Sequence, residues 1–341
     1  MRAAYTARLH MKKNERDGQS LTSAMLEGDR VALARLITAV ENRGSDTAAI
    51  MSRVYARCSD TFIIGITGPP GAGKSTITSC LVQHLRARDQ SVGVVAIDPS
   101  SPFSGGSVLG DRIRMQDHFL DPEVFIRSLS TRGSHGGLAR AGRDVARIFG
   151  AYGKDVVIIE TVGVGQTELD IMEVADTVAV VLVPESGDTV QVMKAGLLEI
   201  ADLFVVNKAD REGAVRMKTE LQTMLSLKAG SGGENSWEVP VLLTEAHNGK
   251  GTEEILNGCL SHHERPGDQE RSRNRGERLR EEVIEICTEE LVRRLHERSD
   301  DEPLAPVLER VAKGEQDPYA AALEILNDDV SLTRVLSGGD D

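Results

Sequence analysis

Apolar residues along the chain fall into short continuous runs separated by stretches of helical periodicity. The runs at 61–66, 91–97, 124–127, 155–160, 177–183, 203–206 and 239–243 have strand length and are rich in Val, Ile and Leu. Strands buried on both faces read this way, whereas half-exposed strands alternate apolar with polar residues. Helical patterns lie between them, at 76–88, from a glycine-rich turn at 130–137 through Ile148, and at 189–200, 214–227 and 252–260. Alternating strands and helices imply right-handed crossovers, and therefore an α/β fold with a mostly parallel sheet and helices on both faces. Pro99 is expected to stop the ladder of the second strand.

Outside this block the pattern changes. Residues 1–19 are polar and read as a loose leader, while apolar positions from Leu21 to Val40, broken at Gly28-Asp29, predict two short helices packed on the central domain. Arg265 to Arg275 reads as a polar linker of near-balanced charge. Beyond it, Leu279, Val283, Ile286, Leu291, Val292 and Leu295 predict an amphipathic helix with an unpartnered face, and 304–311 and 319–326 predict two shorter helices. The expected organisation is a leader with N-terminal helices at 1–60, a central domain at 61–263, and a linker with a C-terminal helical region at 264–341.

Composition narrows the class. Hydrophobic residues make up 40% and aromatics only 3%, so the core must be mainly aliphatic. A formal net charge of -13 argues against chain-wide attraction to nucleic acid or anionic membrane and favours protein or small-molecule partners. Cys58, Cys80, Cys259 and Cys287 are scattered without metal-ligand spacing, as expected for reduced thiols. No apolar stretch approaches the ~20 residues that span a bilayer, so the cytoplasm, or an organelle matrix if a presequence was trimmed, is the expected location.

The candidate chemistry begins at Gly65-Ile-Thr-Gly-Pro-Pro-Gly-Ala-Gly-Lys-Ser-Thr76, between the first strand and the first long helix. Gly68-x4-Gly73-Lys74-Ser75 has the spacing of a phosphate-binding loop, in which backbone N–H groups converge on phosphate oxygens at a helix N-terminus. Gly68, Gly71, Ala72, Gly73 and Thr76 would cradle the phosphates, Lys74 would reach the β- and γ-phosphates, and Ser75 would ligate Mg²⁺. The strand ending in Glu160 supplies an acid for the same ion, and Gly163 an N–H for the γ-phosphate, with Gln166 in the loop that such a contact would order. Asp98 and Asp111 are further carboxylates suited to Mg²⁺ or its waters. Arg112, Arg114, Arg127 and Arg132 lie in the same half and could neutralise phosphate charge.

Asn207-Lys208-Ala209-Asp210 follows another apolar strand. There the Asp210 carboxylate can accept from guanine N1 and N2, while Asn207 meets the purine edge and Lys208 covers the ring. Adenine lacks that donor pair, so the motif selects guanine. Ala246, after the last strand, suits a backbone contact to the base.

With these residues in place, the sequence resembles the MeaB/ArgK family of P-loop G proteins over roughly residues 20–330. The resemblance is carried by Gly65 to Thr76, Asp98 to Met115, Arg127 to Gly133, Glu160 to Gln166 and Asn207 to Asp210. It implies Mg²⁺-dependent GTP hydrolysis, with Lys74, Asp98 and Glu160 central to catalysis and Asp98, Asp111 and Glu160 forming a metal and switch network. It further implies a homodimer held by C-terminal helices, including the arm from Gly276 to Arg298. The implied role is a chaperone that gates adenosylcobalamin delivery to an acyl-CoA mutase of methylmalonyl-CoA mutase type and protects or reactivates it. The cofactor enters only through that partner, and contact with an adenosyltransferase stays open. An extra switch, with Asp188 and Lys194, is implied after the strand at 177–183. There many members carry Pro-Gly-x-Gly-Asp and this chain has Pro184-Glu185-Ser186-Gly187-Asp188.

The alternatives are a GTPase that inserts nickel or zinc, a P-loop kinase of small molecules, and a passive protein that holds guanine nucleotide structurally. The first would be expected to carry a Cys-x-Cys or Cys-x-x-Cys site or a His-rich tract, and the sequence has neither.

Overall fold

Seven strands lie in the order β3-β2-β4-β1-β5-β6-β7, every neighbouring pair parallel. They are β1 (Phe62–Thr67), β2 (Val92–Pro99), β3 (Val124–Thr131), β4 (Val156–Thr161), β5 (Thr177–Leu182), β6 (Leu203–Asn207) and β7 (Val241–Thr244). The computed structural model describes residues 18–44, 46–58, 61–99, 115, 118–131, 137–161, 171–184, 196–229, 237–265, 268–300, 304–328 and 333, with backbone alone at 98–99, 130–131, 137–139, 228–229 and 268–275. The chain divides into two units, Met1–Arg265 and Pro266–Asp341.

In the first unit, helices cover both faces of the sheet. Helix α1 spans 18–26, followed by α2 (Arg30–Glu41), α3 (Thr47–Tyr55), α4 (Lys74–Arg86), α5 (Gly137–Tyr152), α6 (Leu197–Ile200), α7 (Ala214–Ala229) and α8 (Thr252–His263). Alternate residues of each strand point to opposite faces, so both parities must be apolar. Ile64, Ile66, Val94, Ile158 and Val181 pack with Ile77 and Leu81 of α4 and Ile255 and Leu256 of α8. The other parity divides. Val95, Ile97, Val157 and Ile159 pack with α5 and the N-terminal helices, while Val180, Leu182, Phe204 and Val206 pack with α7. The N-terminal helices thus belong to the core, and Asp29 starts α2 by accepting from the N–H groups of Val31 at 2.7 Å and Ala32 at 3.1 Å.

The second unit consists of α9 (Asp268–Glu297), α10 (Leu304–Ala312) and α11 (Pro318–Asn327). Asp317 caps α11, and Arg310 joins α10 to α11 by donating to both carboxylate oxygens of Glu324 at 2.6 and 2.8 Å. On α9, hydrogen bonds from Arg293, then Arg294, hold the Glu290 carboxyl down at about 2. Val283, Ile284 and Val292 of α9 remain exposed. Among the described residues no helix is long and apolar enough to cross a membrane.

The boundaries differ from the expected ones where local pattern is weak. Residues 268–275, expected as linker, are the first turns of α9, because Gln, Glu and Arg are strong helix formers and a charged run suits a solvated helix as well as a coil. Strand β2 includes Pro99, which pairs in register with Thr131, since losing one N–H still leaves a carbonyl for the last step. β3 likewise continues through Ser128 to Thr131, a mostly polar stretch held extended by β2, with Leu129 buried in the core. α3 escapes the periodicity reading because only Ile50 and Val54 bury along it. Of the helix expected at 189–200, residues 197–200 form α6, behind Gly196 at φ +70°, and 189–195 lie outside the described residues.

All four cysteines are free thiols. Cys259 is wholly buried and burial pushes its thiol up to about 12, whereas Cys287 is exposed. At pH 8, iodoacetamide should label Cys287 within minutes and leave Cys259 unmodified until the protein unfolds; peptide mass mapping checks this, and early labelling of Cys259 would contradict the packing of α8.

Candidate nucleotide site

The site is assembled at the carboxyl ends of the central strands, where ligands bind in open α/β sheets. β1 ends at Thr67, and the chain turns through 68–73 before α4 begins at Lys74. Two glycines are dictated by geometry. Gly68 has φ +134°, and a Cβ there would lie 2.0 Å from the Val181 carbonyl oxygen; Gly73 has φ +93°, and a Cβ would lie 2.3 Å from Asn207 Nδ2. Gly73→Ala must therefore strain the backbone and displace Asn207 together. We expect it to lose measurable guanine-nucleotide binding while still melting cooperatively; isothermal titration and a thermal melt check this, and wild-type affinity would contradict it.

Lys74 is buried, and its ammonium donates to Gly68 O at 2.7 Å and Pro69 O at 3.0 Å, so the loop closes around its own cation. Ser75, the next residue, donates from Oγ to Glu160 Oε1 at 2.6 Å. Glu160 ends the apolar part of β4 beside β1, with Ile66 as its register partner, and is itself 7% exposed. Its other oxygen lies 2.9 Å from Thr78 Oγ1, and one residue on, Thr161 donates to Thr67 at 2.9 Å across the β4–β1 pair. A hydroxyl beside a carboxylate at the mouth of a phosphate-type loop is a hard oxygen donor set. It suits Mg²⁺, which takes one or two protein oxygens and leaves its other positions to water and phosphate. Among the described residues no group of three or more His, Cys, Asp or Glu could hold a metal by itself.

Asn207, at the end of β6, is buried and joins two loops. Its Nδ2 donates to Ala72 O at 2.8 Å and its Oδ1 accepts from the Ala246 N–H at 3.1 Å. The Asn207 carboxamide thus bridges backbone of the phosphate-type loop and of the turn after β7. Lys208 follows at φ +57°, and the Ala209 N–H donates to Thr244 O at 2.9 Å, which turns the chain so that Asp210 is exposed. The turn after β7 is pinned by Glu245, whose carboxyl is held below its usual range by Asn248 and then Lys250, the latter 3.0 Å away.

The fold therefore brings together Gly68, Gly71, Ala72, Gly73, Lys74, Ser75 and Thr76 with Glu160, Asn207, Lys208, Asp210 and Ala246. Asp98 lies at the end of β2, next to β4, with its backbone opposite Ser130. Asp111, Gly163, Gln166, Asp188 and Lys194 lie outside the described residues, as do Arg112, Arg114 and Arg132. Arg127 is engaged elsewhere, donating to Thr38 Oγ1 at 2.9 Å and Glu41 at 2.8 Å on α2. Thr78 and the Thr67–Thr161 pair are additions that motif reading missed. The signal for Thr78 is a polar residue buried on α4 among the apolar Ile77, Leu81, Val82 and Leu85.

A glycine loop closed on a lysine, between the first strand and first long helix of a parallel sheet, defines a P-loop nucleotide-hydrolase fold. Residues 33–300 match the family described as methylmalonyl-CoA mutase-associated GTPase MeaB, and the chain belongs to that family. A Pyrococcus abyssi relative, whose name gives it provisionally as a GTPase, is 45% identical over 322 residues, covering 94% of this chain and 97% of its own. The GTPase ArgK of Escherichia coli is 36% identical over 244 residues, 69% of this chain and 72% of its own. The mouse mitochondrial methylmalonic aciduria type A homolog is 34% identical over 258 residues, 71% and 62% of the respective chains. The crystal structure of a LAO/AO transport system kinase shares the fold, with a TM-score of 0.62 at 22% identity over 90% of this chain and 96% of that one. The chain is a GTPase.

Proposed function

We propose that this GTPase is a nucleotide-gated chaperone of an adenosylcobalamin-dependent acyl-CoA mutase, of methylmalonyl-CoA mutase type, and that the residues gathered around Lys74 hold its nucleotide. The observation that carries the site reading is the hydrogen-bonded joining of the phosphate-type loop to its neighbours, Ser75 to Glu160 on one side and Ala72 to Asn207 and on to Ala246 on the other. The partner reading rests on the family description and on the name of the mouse relative.

In this reading the Lys74 ammonium, positioned in the loop by the carbonyls of Gly68 and Pro69, serves the β- and γ-phosphates. The loop N–H groups from Gly71 to Thr76, at the start of α4, receive the phosphate oxygens. Ser75 and Glu160 hold Mg²⁺, with Asp98 and Asp111 in the same network. When bound, the ion neutralises charge on the β- and γ-oxygens. Asp210 accepts from guanine N1 and N2, Lys208 covers the ring, Ala246 contacts the base through its backbone, and Asn207 keeps the base loop and the phosphate loop in register. Gly163, Gln166, Asp188 and Lys194 respond to the γ-phosphate and carry its loss to the partner.

The chain works as a homodimer in this account, and the exposed Val283, Ile284 and Val292 of α9 are the apolar side chains that a second copy would cover. Adenosylcobalamin is met only at the partner. The test is capture from the native host with immobilised protein loaded with a non-hydrolysable GTP analogue or with GDP. The account predicts an acyl-CoA mutase retained in one nucleotide state over the other; equal retention in both, or none in either, would contradict it.

A further inference from the structure

We infer that Thr78 is a positioning residue for Glu160, fixing the carboxylate from inside α4 and so setting how readily the site takes its divalent cation. This rests on the reading that Ser75 and Glu160 hold Mg²⁺. Thr78 has no exposed surface, and a hydroxyl on a buried helix face requires a partner. Two acceptors are in reach of its single proton, Glu160 Oε2 at 2.9 Å and Lys74 O at 3.1 Å. The Lys74 carbonyl is the i−4 position of α4, which the Thr78 amide already serves, whereas the carboxylate offers a charge-assisted bond. The proton therefore belongs on Glu160.

The two oxygens of Glu160 thus have separate donors, Ser75 at 2.6 Å and Thr78 at 2.9 Å. Ser75 has two tasks, because it also ligates the ion, while Thr78 is too deep to ligate anything and has one. A glutamate carries one more rotatable bond than an aspartate, so more freedom must be removed before its carboxylate can serve as a ligand. Thr78 removes that freedom in advance. Partners of this kind, one bond behind the ligands, commonly matter to metal affinity as much as the ligands' own geometry.

The experiment titrates Mg²⁺ against binding of a fluorescent GDP analogue by the full chain, with a parallel measurement in EDTA. Thr78→Val, which keeps the shape and removes the hydroxyl, should raise the Mg²⁺ midpoint about 10–100-fold and leave the EDTA affinity unchanged. Thr78→Ser should restore the unsubstituted midpoint. Should Thr78→Val not fold, Thr78→Ala is read in its place. An unshifted midpoint in the hydroxyl-free variant, or an equal loss of affinity with and without Mg²⁺, would overturn the inference alone. Absence of any Mg²⁺ dependence in the unsubstituted protein would overturn the reading of Ser75 and Glu160, and the inference with it.

Discussion

Lys74→Ala is expected to lower kcat/KM for GTP by at least about 10²–10³-fold, the cost of removing one preorganised charge from a phosphoryl-transfer site. The lysine is a buried cation of its loop, held by two carbonyls, so its loss removes charge complementarity that water cannot replace at that depth. Alanine suits the first turn of a helix, so the variant should still melt cooperatively. The measurement is phosphate release under saturating Mg²⁺ with a thermal melt of the same sample. Turnover within a few-fold of the unsubstituted protein would show that the triphosphate is held elsewhere.

Asp210→Asn carries the second large effect. Two hydrogen bonds from guanine to a carboxylate contribute about 1.5–3 kcal/mol each, so their loss should weaken GTP by about 10²–10⁴-fold. The substitution should also change which base is preferred. Xanthine presents a carbonyl where guanine presents an amine, and the carboxamide introduced by the substitution can donate to it, so xanthosine triphosphate should bind the variant more tightly than GTP does. Competition titrations with both triphosphates read the switch directly. An unaltered preference for GTP would remove Asp210 from base recognition, and with it the assignment of the turn at 207–210.

Strands such as 155–160 and 203–206 are legible because both faces of the sheet are covered, so continuous Val and Ile runs have one stable placement. The phosphate-type loop is legible because Gly68 and Gly73 occupy positions where a Cβ would meet Val181 or Asn207, constraints that spacing alone records. The helix at 268–275 was not legible, since a solvated charged helix and a charged linker have the same composition. The joining role of Asn207 was not legible either. Its partners, Ala72 and Ala246, are backbone groups 135 and 39 residues away, and no side-chain motif marks them. Thr78 lay between these cases, a polar residue on a buried face whose partner, Glu160, is 82 residues distant and identifiable only once β1 and β4 are paired.

The central claim is that GTP held at this site is spent in the service of a mutase partner, and the rate of GTP hydrolysis by the purified chain, alone and with an adenosylcobalamin-dependent acyl-CoA mutase, tests it most directly. An arginine or general base that completes a phosphoryl-transfer site is worth about 10³-fold or more in rate, and a partner can supply it. The account predicts slow turnover to GDP and free phosphate by the chain alone, and acceleration when the mutase is added. Turnover of tens per second without a partner, or transfer of the γ-phosphate to a metabolite instead of water, would contradict it.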